Sequence, residues 1–230
     1  MRPTDAEDPA HHKTMRSFGE YDIDHVIYGH PTERDAKIMR ADTPDFTLEP
    51  RNIEIDPPFD NSSPETKAEL EEIRRVMDST DKENFYRFDE LFTDDFQKYC
   101  SDFKLPISYK RLKELSYQVA VFVHTLKYKY NRPRPDQISP FHQAGISPAP
   151  TLTGRTPAYP SGHAAQSRFL ARYIGHRFPD YADGAMKLAD MIADSRIEGG
   201  VHYPSDTKQC QELADVLFQD YLNNRKGIAQ

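Results

Sequence analysis

From Leu112 to Leu126 the chain repeats apolar residues at spacings of three and four: Leu112, Leu115, Val119, Phe122 and Leu126. Such a period keeps side chains on one face of an α-helix, and of no other regular backbone. Ser108 stands where such a helix takes its N-cap. The run Asn131-Arg132-Pro133-Arg134-Pro135 ends it, because each proline removes an amide donor and restricts the residue before it. Similar signals recur along the chain. Ser63-Pro64 opens a charged helix, a second helix is predicted from Lys82 to Phe92, and a short one follows through Phe96 and Tyr99. Three more fit Ser161 to Phe178, Tyr181 to Glu198 and Ser205 to Asn224. No stretch alternates as a strand does and no repeat is present, so the expected class is all-α, a compact helical bundle.

A chain of 230 residues with 37% apolar content can bury one sizeable core. Residues 1–60, rich in Pro, Asp and Arg and without sustained apolar period, read as an extended arm. Residues 61–230 read as the helical domain. Between the helices, Asp136 to Tyr159 forms a long loop with four prolines and two glycines, a length that is often functional. The net charge of −7 argues against nucleic acid or an anionic membrane as partner, so any bound anion must be held by local cations. No apolar run is long enough for a signal peptide or a bilayer span, which implies no membrane insertion and a cytoplasmic location if Met1 is the natural start. Cys100 and Cys210 are far apart and in no metal-type spacing. Unpaired thiols are expected and a disulfide is left open. His11-His12, lacking a second pair nearby, is not read as a metal site, and a homo-oligomer is left open.

Three short motifs carry chemistry. Lys127, next to the apolar stripe, and Arg134, just past the helix end, either complement a helix C-terminus or bring two positive charges to one pocket. Pro160-Ser161-Gly162-His163 precedes an apolar-periodic run. Ser161 is placed to cap that helix, and Gly162 leaves the first-turn amides open to close approach, an arrangement suited to an anion with His163 beside it. On the next helix Ala185, Ala189, Ile192 and Arg196 follow one face. A guanidinium on that face needs an anionic partner; no acid of the same face supplies one, and a bound phosphate would.

Taken together, Lys127-x6-Arg134-Pro135, Pro160-Ser161-Gly162-His163 and Ser195-Arg196-x5-His202-x3-Asp206 resemble the three-part signature of a known superfamily. It joins type 2 phosphatidic acid phosphatases, class A bacterial acid phosphatases and vanadium haloperoxidases. Arg132-Pro133 does not fit its frame, which would need a lysine at position 125 and finds Thr125. The resemblance implies that Lys127, Arg134, Ser161, Gly162 and Arg196 bind phosphate and that His202 is the nucleophile, oriented by Asp206. His163 would protonate the leaving group and then take a proton from water. Glu198, two residues from Arg196, would repel phosphate if it faced inward, so it is expected to point away or to hold a cation. The function implied is a phosphatase of small phosphomonoesters or pyrophosphates, without metal or other cofactor. A haloperoxidase holding vanadate in the same site is the alternative.

Overall fold

In the computed structural model, which describes residues 22–228, all regular structure is helical and no strand occurs among those residues. His11 and His12 lie outside them. The helices are α1 (Glu33–Ile38), α2 (Pro64–Ser79), α3 (Glu83–Phe88), α4 (Phe92–Asp102), α5 (Tyr109–Tyr130), α6 (Pro135–Ile138), α7 (Gly162–Arg177), α8 (Ala182–Glu198) and α9 (Pro204–Ile228). The Ser63 hydroxyl accepts the Thr66 amide ahead of α2, and the Ser108 hydroxyl accepts the Arg111 amide ahead of α5. Each such cap is worth about 1 kcal/mol. At its other end α5 stops on Asn131, which turns left-handed at φ 51° and precedes the two prolines.

The stripe of α5 is wholly buried, with Leu112, Leu115, Val119, Phe122 and Leu126 at 0% exposure. It packs on α7, which in turn packs along α8 and α9. Phe169 of α7, Phe218 and Tyr221 of α9, and Phe122 of α5 meet in one core. Each fully buried ring or leucine there contributes roughly 1.5–3 kcal/mol, so α7, which has neighbours on three sides, fixes where the other helices can go.

Residues 22–60 run across this body, partly as the short helix α1. Phe46 is inserted into the core, its ring 5.1 Å from that of Phe122. The Asp45 carboxylate receives both Arg111 nitrogens at 2.7 and 2.8 Å.

The helix predicted from Lys82 to Phe92 is shorter than expected, and the one after it begins earlier. The first ends at Phe88, and the next starts at Phe92, because Leu91 leaves helical geometry at φ −130°, ψ 43°. In the gap lies Asp89, whose carboxylate accepts the Thr151 hydroxyl and the Leu152 amide of the long loop. Local periodicity gives no sign of a partner so distant in sequence. The long loop itself opens with the single turn α6 and continues without regular structure to Pro160.

Candidate active site

The C-terminal end of α5, the N-terminal end of α7, the C-terminal end of α8 and the first turn of α9 converge on His202. This imidazole is 3% exposed and its two nitrogens have different partners. Nδ1 lies 3.0 Å from Asp206 Oδ2, a carboxylate that only accepts, so Nδ1 carries the proton. Nε2 lies 3.0 Å from Arg134 Nη1, which only donates, so Nε2 presents its lone pair. Spacing explains the first contact: His202 and Asp206 flank the turn into α9, where the Asp206 carboxylate also accepts the Tyr203 amide at 3.0 Å.

Two cations of the site are held by main-chain oxygen. Lys127 Nζ donates to the carbonyls of Pro157 and Ala158. Arg134 donates to the carbonyls of Thr156 at 2.8 Å and Val201 at 2.6 Å. Burial, and then each other's charge, pushes Lys127 well below its usual value. Burial likewise lowers Arg134.

Arg196 is held differently. Its guanidinium lies 4.7 Å over the Phe85 ring and donates through Nη2 to Asp89 at 2.9 Å. The sequence left this buried arginine to a bound anion alone; the structure supplies Asp89 as a partner 107 residues away. Burial works to raise the Asp89 carboxyl, but the hydroxyls of Thr151 and Thr153, the Leu152 amide and Arg196 hold it down to about 2. Burial lowers Arg196 to about 10. Even so, Nε and Nη1 of Arg196 are buried without a hydrogen-bond partner among the described residues.

Gly199 and Gly200 shape this corner. A Cβ on Gly199 would lie 2.1 Å from the Phe85 ring, so the close fit that sets the ring under Arg196 requires glycine. Gly200 turns the chain at φ 70°, a left-handed conformation that glycine adopts without strain, and leads it back toward His202.

Ser161 occupies the N-cap position of α7, yet its hydroxyl makes no capping bond and is buried without a partner among the described residues. The expected cap is therefore absent, and the hydroxyl is left for something else. A Cβ on Gly162 would make only ordinary contacts, 3.5 Å to Gln166 and 3.7 Å to Val123. The glycine is not demanded by protein packing, and its bare amide sits among the first-turn donors of the helix. His163 packs on the Phe92 ring at 5.1 Å and donates from Nε2 to the Asp89 carbonyl at 2.9 Å. Glu198 faces Asn84, a neutral amide that hydrogen-bonds its carboxyl, while burial raises that carboxyl.

Burial pushes His163 down to about 3, with Arg196 as the next cause. Burial, then Arg134, Lys127 and Arg196, hold His202 well below the ordinary 6.5. Folded, both imidazoles stay neutral at pH values where the unfolded chain takes up protons. Stability is therefore full above pH 6.5 and falls as pH drops below it, by up to about 1.4 kcal/mol per pH unit for each histidine. Denaturant unfolding between pH 7 and about 4.5 should show that slope, and His163→Gln should remove part of it. An unchanged slope in the variant would mean that His163 is not held neutral.

With this geometry in view, the comparison with known families is specific: residues 115–208 match the model of the PAP2 superfamily. No curated protein matches the chain. Among solved structures it is similar to a vanadium-dependent iodoperoxidase described as the first from bacteria, with a TM-score of 0.60 and 17% identity over 76% of this chain and 54% of that one. It is also similar to a transmembrane PAP2-type phosphatidylglycerolphosphate phosphatase from Bacillus subtilis, with a TM-score of 0.49 and 17% identity over 73% of this chain and 89% of that one. The chain spans about half the length of the iodoperoxidase, 54%, and the likeness to it is one of fold. Among the described residues no helix is long and apolar enough to cross a membrane, and no three His, Cys, Asp or Glu side chains are grouped as metal ligands. Both cysteines are free and buried.

The site has members that the motifs did not reveal. Asp89 comes from the turn between α3 and α4. Arg132, set aside because it falls outside the motif frame, is 2% exposed and donates to Asp206 Oδ1 at 2.7 Å. Glu69 of α2 receives Arg132 at 2.8 Å. A signal for Glu69 was present: Thr66, Glu69, Leu70 and Ile73 are all buried and follow one helical face, so an acid stood among core positions.

Proposed function

We propose that the protein is a phosphatase that hydrolyses small phosphomonoesters or pyrophosphates through a phosphohistidine on His202, with no metal required. One observation carries this reading: three buried donors, Arg196 Nε, Arg196 Nη1 and the Ser161 hydroxyl, have no partner among the described residues and lie on α8 and at the start of α7, whose ends meet at His202. Buried donors without acceptors cost about 1–3 kcal/mol each, and an oxyanion with several lone pairs would satisfy all three. The α7 N-terminus, with Gly162 bare, adds amide donors and a favourable dipole.

On this reading the phosphoryl group is held by Lys127, Arg134, Arg196, Ser161 and the Gly162 amide, which spread positive charge over its equatorial oxygens. His202 Nε2 forms the N–P bond as the P–O bond to the leaving group breaks. Asp206, accepting the Nδ1 proton bond, steadies the positive charge that grows on the ring. The proton for the leaving oxygen enters with the ester as its monoanion and passes through His163, whose second proton the bound anion stabilises. Water then attacks phosphorus, gives a proton to His163 and releases phosphate, leaving His202 neutral. Vanadate is an anion of the same class and would fit the same unpartnered donors, where it would supply the oxidative chemistry of a haloperoxidase.

The deciding assay is hydrolysis of a nitrophenyl phosphate in the presence of a chelator, run beside bromide oxidation with vanadate and peroxide. Hydrolysis that survives the chelator and is inhibited by vanadate is the expected result. Activity lost with chelator and restored by magnesium would remove the metal-free mechanism. Bromide oxidation without hydrolysis would replace the phosphatase reading by the haloperoxidase one.

A further inference from the structure

Arg132 stacks on the Tyr203 ring, 3.7 Å from its centroid, and its two Nη atoms carry all of its hydrogen bonds. Nη1 donates to Asp206 Oδ1 at 2.7 Å and to the Ser205 hydroxyl at 2.9 Å. Nη2 donates to Glu69 Oε2 at 2.8 Å. Glu69 in turn uses Oε1 to accept the Ser205 amide at 2.6 Å, so it holds both the guanidinium and the first turn of α9. Asp206 divides its oxygens accordingly: Oδ1 takes Arg132, and Oδ2 takes His202 and the Tyr203 amide. Burial works against the charge on Arg132, but Asp206 and Glu69 raise its pKa overall.

We infer that Arg132 and Glu69 are positioning residues for the His202–Asp206 pair. They fix the carboxylate so that the imidazole keeps its Nδ1 proton and directs Nε2 at the bound anion. This rests on the phosphatase reading for the reaction it serves, though not for the geometry it asserts. A carboxylate bonded on one side only could rotate about its own bond, and the histidine would follow it. With Arg132 on Oδ1 that rotation would break a buried charge-assisted bond, which is costly. Neither residue is among the donors that face the anion, so both act on the nucleophile and not on phosphate affinity. Glu69 lies outside the matched residues 115–208, which makes α2 part of the catalytic apparatus although it precedes that segment.

The test measures kcat for a nitrophenyl phosphate and the inhibition constant of inorganic phosphate in Arg132→Gln, Arg132→Lys and Glu69→Gln. Proton NMR of the downfield His202 Nδ1–H, assigned by its loss in His202→Gln, gives a readout that needs no activity. Arg132→Gln and Glu69→Gln should each lower kcat by about ten- to a hundredfold while the phosphate constant moves by no more than about twofold. The Nδ1–H signal should broaden through faster exchange with water in both. Arg132→Lys, which keeps the charge but not the fork, should recover part of kcat. Loss of phosphate binding in step with kcat would overturn the inference, since Arg132 would then support the whole cradle. So would wild-type kcat together with an unchanged Nδ1–H signal. If Arg132→Gln does not fold, the isosteric Glu69→Gln decides by the same criteria. A wild-type protein without hydrolysis, but with an Nδ1–H signal that depends on Arg132 and Glu69, would end the phosphatase reading and leave the positioning role standing.

Discussion

His202→Ala should abolish turnover and covalent phosphorylation with every substrate. His202 Nε2 carries a lone pair beside Arg134, in the same buried cluster as Arg196 and Ser161 with their unpartnered donors. Lys127 and Arg134 are donors and offer no lone pair while charged, and His163 has Nε2 committed to the Asp89 carbonyl, which leaves its Nδ1 for proton transfer. With the attacking group gone, the cradle can still bind phosphate but not break its ester. The loss should reach about ten-thousandfold or more, comparable to removing the nucleophile of a hydrolase triad. Rapid-quench mass spectrometry of the wild type should find the added phosphoryl group on His202. His163→Ala should still label there with a nitrophenyl ester, whose leaving group needs no proton, and should hold the adduct because hydrolysis lacks its base. Label on His163, or turnover in His202→Ala, would reverse the two roles.

The second large effect is Arg196→Lys, which should lower kcat/KM by about a hundredfold or more. A guanidinium can bond Asp89 through Nη2 while Nε and Nη1 stay directed elsewhere, which is the state observed. An ammonium has no such division of labour. Drawn to Asp89, it would abandon the anion; directed at the anion, it would leave Asp89 unpaired. It would also lose the planar stacking on Phe85. Steady-state kinetics, with unfolding measured alongside, would separate these losses from misfolding. Wild-type kinetics would place Arg196 outside the binding site.

Much of this architecture could be read along the chain because the forces that set it are local. The α5 stripe, the caps at Ser63 and Ser108 and the stop at Asn131 depend on residues within one or two turns, and each is found where periodicity and capping chemistry put it. The motif residues also lie close in sequence to the helix ends that carry them, and the structure brings Lys127, Arg134, Ser161, Arg196, His202 and Asp206 into one buried cluster. What escaped were the long-range partners. Asp89 pairs with Arg196 across 107 positions, and Glu69 reaches Arg132 across 63. No spacing rule encodes such pairs, because the intervening chain only has to arrive. The boundary between α3 and α4 was placed too late for the same reason: propensity carries the first helix on to Phe92, and the loop bonds of Asp89 that accompany its end at Phe88 are invisible to it. Ser161 is the reverse case, where the residue type suggested a cap and the structure leaves the hydroxyl unused.

The carbonyls of Thr156, Pro157, Ala158 and Val201 that surround Lys127 and Arg134 have one more consequence. Carboxylates in their place would have cancelled the two charges. Neutral dipoles do what the first layer of water does for a free ion: they ease its removal from bulk solvent and leave its charge intact. Here that layer is part of the polypeptide and cannot be displaced by an incoming anion. Burial still lowers both groups, so the dipoles offset only part of the lost hydration, and that part is set by the path of the backbone from 156 to 158 and at 201, since no side-chain substitution there alters the oxygens themselves.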